Sequence, residues 1–383
     1  VTVTAAQGFL AGGVSAGLKE SGDLDLALVV NRGPSRAAAG VFTSNRVQAA
    51  PVRWSRRVLA DGRISAVVLN SGGANACTGP GGAEDARLTA ERTARAVGVG
   101  PDEVAVCSTG LIGVRLPMDR LTAGVSAVAD RLSADGGEAA AVAIKTTDSV
   151  HKTAVADGDG WTVGGMAKGA GMLAPGLATM LVVLTTDAET SAEVLDAALR
   201  EAVRTTFDRV DSDGCMSTND TVLLLASGSS GVAPEPAVLT AAVHAVCQDL
   251  ARQLVADAEG ASKEIEVTVL GAASEADAVE VGRSVARNNL LKCALHGEDP
   301  NWGRVLSAIG TTAAVFDPDR LDVAINGVWV CRDGAEGESR DKVDLTGRHI
   351  QVTVDLRSGG SSATVWTNDL TAEYVHENSA YSS

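Results

Sequence analysis

Aromatic side chains are scarce in this chain of 383 residues: phenylalanine, tryptophan and tyrosine together make up 3% of it. Its cores must therefore be filled mainly by Ala, Val and Leu, as in compact α/β layers. Basic residues are also in deficit, with 32 Lys and Arg against 48 Asp and Glu and a formal net charge of -16. That balance excludes nucleic acid as an expected partner, because phosphate binding needs clustered Lys and Arg. No apolar run approaches the roughly 18 residues that a membrane span requires. The start of the chain lacks a basic stretch followed by an apolar one, so no membrane association and a cytoplasmic location are expected. The six cysteines are widely spread and form no Cys-x-x-Cys pair, and the five histidines show no ligand spacing. Reduced thiols and no metal site are the expectation.

The chain does have enough apolar material, 45% of residues, for one large or two moderate cores. Periodicity predicts strands at Leu26 to Asn31, Ala66 to Asn70 and Glu103 to Cys107, alternating with helical stretches near Glu84 to Ala96 and Arg120 to Leu132. Thr190-Ser-Ala-Glu193 fits a capping box, followed by an apolar face of Val194, Leu195, Leu199 and Val203. A second helix is predicted from Pro236 to Ala258, with Leu239, Val243, Val246, Leu250 and Leu254 on one face. Beyond it, Ile265, Val267 and Val269 alternate like a strand, as do Ile350, Val352 and Val354. Asn326-Gly327 between two β-branched runs is a hairpin signal. The expected class is α/β, with layered mixed sheets packed with helices and a second half richer in antiparallel strands.

The segment from Met166 to Asp187 joins a glycine-rich approach to an apolar strand, Met180 to Thr186, with Thr179 at the junction. A threonine hydroxyl is a poor nucleophile unless a base adjoins it, and one economical base is its own α-amine, freed by cutting the bond before it. Gly169, Gly171, Pro175 and Gly176 permit unusual backbone geometry, and Ala178 leaves its carbonyl sterically open. Attack of the Thr179 hydroxyl on the Ala178 carbonyl would give an ester by N-to-O acyl shift, and water would release a chain beginning at Thr179. Its α-amine would titrate at about 7.7 to 8.0 and could act as a base at neutral pH. On the residues alone, a loop entering a buried strand is the favoured explanation of the segment, since glycine and proline mostly punctuate structure.

The run Lys168-Gly-Ala-Gly-Met172, then Pro175 and Ala178-Thr179-Met180, resembles the self-cleaving ornithine acetyltransferase (glutamate N-acetyltransferase) family of arginine biosynthesis. Other stretches agree across nearly the whole chain: Asn70 to Gly79, Ser108-Thr-Gly-Leu-Ile-Gly113, Thr146-Thr-Asp148, Ser217-Thr-Asn-Asp-Thr221, Asp257 to Lys263, Gly297 to Gly303 and Tyr374-Val-His-Glu-Asn378. The resemblance implies an N-terminal-nucleophile-like fold cut between Ala178 and Thr179, with residues 1–178 and 179–383 as two subunits folded together and cleaved protomers assembling as a dimer. It implies transfer of acetyl from N-acetylornithine to glutamate, releasing ornithine and N-acetylglutamate, through an acetyl ester on Thr179. No cofactor is implied, though acetyl-CoA is a possible donor.

The same resemblance assigns the remaining roles. Thr109, through its hydroxyl, and Gly110, through its N–H, match the family's oxyanion donors. Lys168 matches a lysine that contacts substrate, and Glu259 a glutamate suited to a substrate amine. Thr146 and Thr147 share one substrate-contacting motif, and Asn378 and Ser383 match polar tail positions that close over the substrate. Read bare, Ser108-Thr-Gly110 is a turn, Lys168 a solvated loop lysine, Glu259 a helix-end residue and the tail a frayed terminus.

Two other patterns are weaker. Gly13-Val-Ser-Ala-Gly17 fits the nucleophile elbow of serine hydrolases, but no convincing strand is predicted before Ser15. Asp211 and Asp213 resemble the opening of a calcium loop whose remainder is missing. The rival functions are a self-cleaving amidase or aminopeptidase, which would pass the acyl group to water, and a non-catalytic binding protein.

Overall fold

The computed structural model describes residues 2–174 and 180–380. Ala178, Thr179 and Ser383 lie outside the described residues. Among the described residues no helix is long and apolar enough to cross a membrane.

Three sheets organise the chain. The first has the order Phe9–Val14, Leu26–Asn31, Ala66–Asn70 and Val104–Ser108, antiparallel except for the last pair. The second has the order Ala38–Phe42, Thr221–Ala226, Leu181–Thr186, Thr162–Lys168 and Lys152–Asp157, with one parallel pair between Leu181–Thr186 and Thr221–Ala226. The strand following Thr179 is therefore the centre of a sheet. All of Leu181–Thr186 is buried, and its alternation divides two cores. Leu181 and Val183 join the cluster built around the first sheet, while Val182 and Leu184 pack against the helices Ala192–Thr205 and Pro236–Ala256. The result is a layered helix–sheet–sheet–helix arrangement. A strand buried on both faces needs no polar alternation, which is why its sequence is a continuous apolar run.

Most predicted elements appear, with shifted ends. The helix Pro236–Ala256 buries Leu239, Val243, Val246, Leu250 and Leu254 as expected, each contributing roughly 1.5–3 kcal/mol. It stops before Glu259, which sits in the following turn. The cap of the helix Ala192–Thr205 is Ser191, whose hydroxyl accepts from the Val194 N–H, so the predicted box beginning at Thr190 was one residue early. The strand predicted from Glu103 begins at Val104, because Pro101–Glu103 forms a 3-10 turn ahead of it. The core aromatics among the described residues are Phe9, Trp54, Trp161 and Phe207, set in a bed of Ala, Val and Leu.

The third sheet has six strands in the order Ala335–Glu336, Val328–Arg332, Asp322–Ile325, His349–Asp355, Glu264–Ala272 and Ser361–Asn368. Its pairs are antiparallel except Glu264–Ala272 with His349–Asp355. Asn326 and Gly327 both take positive φ, 45° and 80°, as a tight hairpin turn requires. After the last strand the chain forms the helix Ala372–Ala380, capped by the Thr371 hydroxyl, which accepts from the Tyr374 N–H and donates to the Gly260 carbonyl. The tail is thus tied to the turn that carries Glu259.

One expectation needs correction. A strand, Phe9–Val14, does lead into Ser15. The elbow still fails, because the strand does not turn into a helix after Ser15.

Candidate active site

Strand ends bring the candidate residues together. Lys168, Leu181 and Thr221 stand side by side at one end of three adjacent strands of the second sheet. Just before Thr221, the buried Asp220 accepts the Met180 N–H at 3.1 Å, fixing the residue that follows Thr179 in sequence. Burial pushes the Asp220 carboxyl well above the usual carboxylate range, against the pull of that N–H and of Lys168. Asn219 donates to the Ala74 and Ser108 carbonyls at 2.6 and 2.8 Å and so clamps two loops of the first sheet onto the second.

Those loops carry the candidate oxyanion donors. Thr109 follows the strand Val104–Ser108; its N–H donates to Asn70 and its carbonyl accepts the Gly73 N–H at 3.0 Å. Gly110 has φ of 128°, and a Cβ there would stand 2.7 Å from the Gly73 nitrogen. Only glycine fits this close backbone approach.

A cavity of about 120 Å³ is lined by Thr109, Gly110, Thr146, Thr147, Lys168, Glu259 and Asn378, together with Ala74, Met172 and Asn219 among others. Every candidate site residue within the described part of the chain therefore meets at one place. Lys168 is not a solvated loop lysine: it ends the strand Thr162–Lys168 and is 2% exposed. Its ammonium donates to the Thr146 hydroxyl at 2.7 Å and to the Thr109 hydroxyl at 3.4 Å. Burial lowers its pKa and the nearby Asp148 opposes that fall. The Thr147 hydroxyl donates to Glu259 at 2.7 Å, so of the two threonines one stands beside the cation and one beside the anion. Glu259 also accepts from the Asn378 amide at 2.9 Å. A Cβ on Gly171 would lie 2.5 Å from the Glu259 carboxylate, so that glycine makes room for it.

Several residues escaped the sequence reading. Asp148 and Asp257 lie inside quoted motifs without an assigned role, and Lys152 gave no signal at all. In the fold, Lys152 is fully buried and donates to both Asp148 and Asp257 at 2.6 Å. Burial alone would raise the Asp148 carboxyl, but Lys168 and Lys152 hold it below the usual carboxylate range. The motif Asp257 to Lys263 divides its labour: Glu259 faces the cavity, whereas Lys263 donates to the carbonyls of Leu345, Thr346 and Gly347, just before the third-sheet strand His349–Asp355. Asp211 is engaged by Arg287 at 2.6 Å, and Asp213 accepts the N–H groups of Met172 and Cys215.

The arrangement offers hydroxyl and N–H donors beside a buried cation on one side, and a carboxylate with an amide on the other. It suits a small zwitterion carrying an acyl group. Comparison with known proteins shows the family. Residues 10–383 match the ArgJ family. The chain is 70% identical over 383 residues to the arginine biosynthesis bifunctional protein ArgJ of Streptomyces coelicolor, covering 100% of both chains. It is 58% identical over 389 residues to the protein of that name from Mycobacterium leprae, covering 100% of this chain and 96% of the relative. Among solved structures, the ornithine acetyltransferase of Mycobacterium tuberculosis complexed with ornithine is 58% identical, with a TM-score of 0.45, covering 47% of this chain and 96% of the matched chain. On a match that runs through the whole site and relatives aligned from end to end, this chain belongs to the ArgJ family.

Proposed function

We propose that the chain is a glutamate N-acetyltransferase of arginine biosynthesis that moves the acetyl group of N2-acetyl-L-ornithine to L-glutamate through an acetyl ester on Thr179. The observation that carries the reading is the convergence of Thr109, Gly110, Thr146, Thr147, Lys168, Glu259 and Asn378 on one cavity, at the sheet end where the chain resumes after Thr179.

In the first step the Thr179 hydroxyl attacks the acetyl carbonyl while its α-amine takes the proton. The C–N bond to ornithine breaks, and ornithine leaves with that proton. In the second step the glutamate amine attacks the ester carbonyl, and the threonine hydroxyl is restored as N-acetylglutamate departs. Negative charge develops on the acetyl oxygen in both steps, and the Thr109 hydroxyl and Gly110 N–H are its donors. Lys168 takes a substrate carboxylate, and Glu259 with Asn378 takes the cationic amine, with Ser383 completing the polar closure.

The free α-amine comes from cleavage between Ala178 and Thr179, which leaves residues 1–178 and 179–383 as paired subunits, and cleaved protomers assemble as a dimer in the cytoplasm. The chemistry uses no cofactor, and acetyl-CoA enters only as an alternative acetyl donor.

Denaturing mass spectrometry of the purified protein tests the maturation step. Two fragments meeting at Ala178 and Thr179 are expected, and a single chain of 38.8 kDa from a Thr179→Ala variant. A wild-type chain that stays intact while transferring acetyl normally would sink the mechanism. Incubation with N-acetylornithine, with and without glutamate, separates transferase from amidase: ornithine release should depend on glutamate and be matched by N-acetylglutamate.

A further inference from the structure

Four buried charges of alternating sign run behind the cavity. Lys168 Nζ lies 4.0 Å from Asp148 Oδ2, and Lys152 Nζ is 2.6 Å from both Asp148 Oδ1 and Asp257 Oδ2. Side-chain exposures along the chain are 2%, 0%, 0% and 8% from Lys168 to Asp257. Asp148 also accepts the Gly169 N–H at 2.7 Å and the Thr146 N–H at 3.0 Å, so it binds both segments that present Lys168 and Thr146. Asp257 accepts the N–H and hydroxyl of Ser149. Desolvating such a chain consumes much of what its attractions return, so an apolar cluster of the same volume would serve stability as well or better. Its value lies in what it holds in place.

What it holds is the Lys168 ammonium, whose hydrogen bonds reach the Thr146 hydroxyl at 2.7 Å and the Thr109 hydroxyl at 3.4 Å. A threonine hydroxyl has one proton and two lone pairs. An ammonium has no lone pair, so Thr109 can only accept from it, and the Thr109 proton must point elsewhere. A neutral lysine could instead accept that proton and turn it away from the cavity.

We propose that Asp148, clamped by Lys152, is a positioning residue for acetyl transfer: it holds Lys168 as an ammonium ion against Thr109, which aims the Thr109 proton at the oxygen that becomes negative. This rests on the reading of Thr109 as an oxyanion donor given above. Burial lowers the Lys168 pKa, and Asp148 is foremost among the groups that oppose it. Removing the carboxylate removes the main reason for the lysine to stay charged.

A double-mutant cycle between Asp148→Asn and Thr109→Val tests the coupling, with kcat measured at saturating N-acetylornithine and glutamate and normalised to chains cleaved after Ala178. Thr109→Val should lower kcat about 10²-fold, as loss of one oxyanion donor does. Asp148→Asn should approach that loss, and the double variant should fall no further than Thr109→Val within about threefold, because both act through one hydroxyl. Multiplicative losses, or wild-type kcat in Asp148→Asn, overturn the inference while leaving the oxyanion reading intact. Wild-type kcat in Thr109→Val removes that reading itself and the inference with it. If Asp148→Asn does not accumulate as folded protein, the same cycle is run on Asp148→Asn/Lys152→Met, which removes the fully buried lysine that the lost carboxylate would strand and leaves Lys168 in place.

Discussion

The amide of Asn378 donates to the Glu259 carboxylate at 2.9 Å across 119 positions of sequence. The contact brings the C-terminal helix over the cavity and joins it to the turn after Pro236–Ala256. In the mechanism proposed above the pair meets the substrate amine before any chemistry occurs, so it should act on binding. Asn378→Ala should raise the KM for N-acetylornithine about five- to tenfold with little change in kcat, the size of one lost charge-assisted hydrogen bond at a partly wet site. Glu259→Gln should lower kcat/KM by about 10²-fold. Steady-state kinetics over a range of substrate concentrations distinguishes this from a lowered kcat at unchanged KM, which would place the pair in the transition state instead.

Gly171→Ala should cost activity without costing the fold. The added Cβ would meet the end of the Glu259 side chain at 2.5 Å, and a flexible carboxylate can swing away where backbone could not. Its escape breaks the contacts with Thr147 and Asn378. A KM increase of about tenfold or more is expected with a melting temperature within a few degrees of wild type. A large fall in melting temperature would mean that the loop, not the glutamate, gives way.

Gly110→Ala is the opposite case. The obstacle is the Gly73 backbone at 2.7 Å, and φ of 128° is strained for any side chain. Destabilisation of about 1–3 kcal/mol should accompany a loss of about 10² to 10³ in kcat as the N–H is pulled off its target. Urea denaturation and turnover measured on one preparation check both together. Full activity in a stably folded variant would remove Gly110 from the oxyanion site.

The buried Asp211 should give stability a pH dependence of definite sign. Burial pushes its carboxyl up from 3.8 to about 6, against the pull of Arg287, and its Oδ1 is buried without a hydrogen-bond partner among the described residues. The folded chain therefore holds this proton more tightly than the unfolded chain. Its contribution is greatest below the unfolded value and is lost as the pH rises to about 6, then stays flat. The stability of wild type minus that of Asp211→Asn should decline by about 1–3 kcal/mol between about pH 4 and pH 6 in urea denaturation. A difference that grows with pH would show that Arg287 stabilises the carboxylate more than burial penalises it.

Much of this molecule is written locally. The apolar run at Leu181–Thr186, the one-sided face of Pro236–Ala256 and the Asn326-Gly327 turn follow from periods of two and 3.6 residues and from the positive φ that a tight hairpin demands. Element ends were less legible, since Ser191 and Thr190 are both acceptable caps and only the path of the chain chooses between them. The motifs named the cavity residues, and nearly all of them stand on loops and strand ends that sequence alone leaves unconnected.

What the sequence determined by itself is the type of its most periodic elements and the candidate residues that its motifs carry. The tertiary structure decided their electrostatic state. Lys168 reads as a solvated lysine until three strands and the Asp148 loop close around it, and Lys152 carries no mark until the nearby Asp148 and the distant Asp257 converge on its ammonium. A charge's behaviour depends on the solvent it loses and the partners it gains, and both are set by packing between segments that lie far apart in the chain.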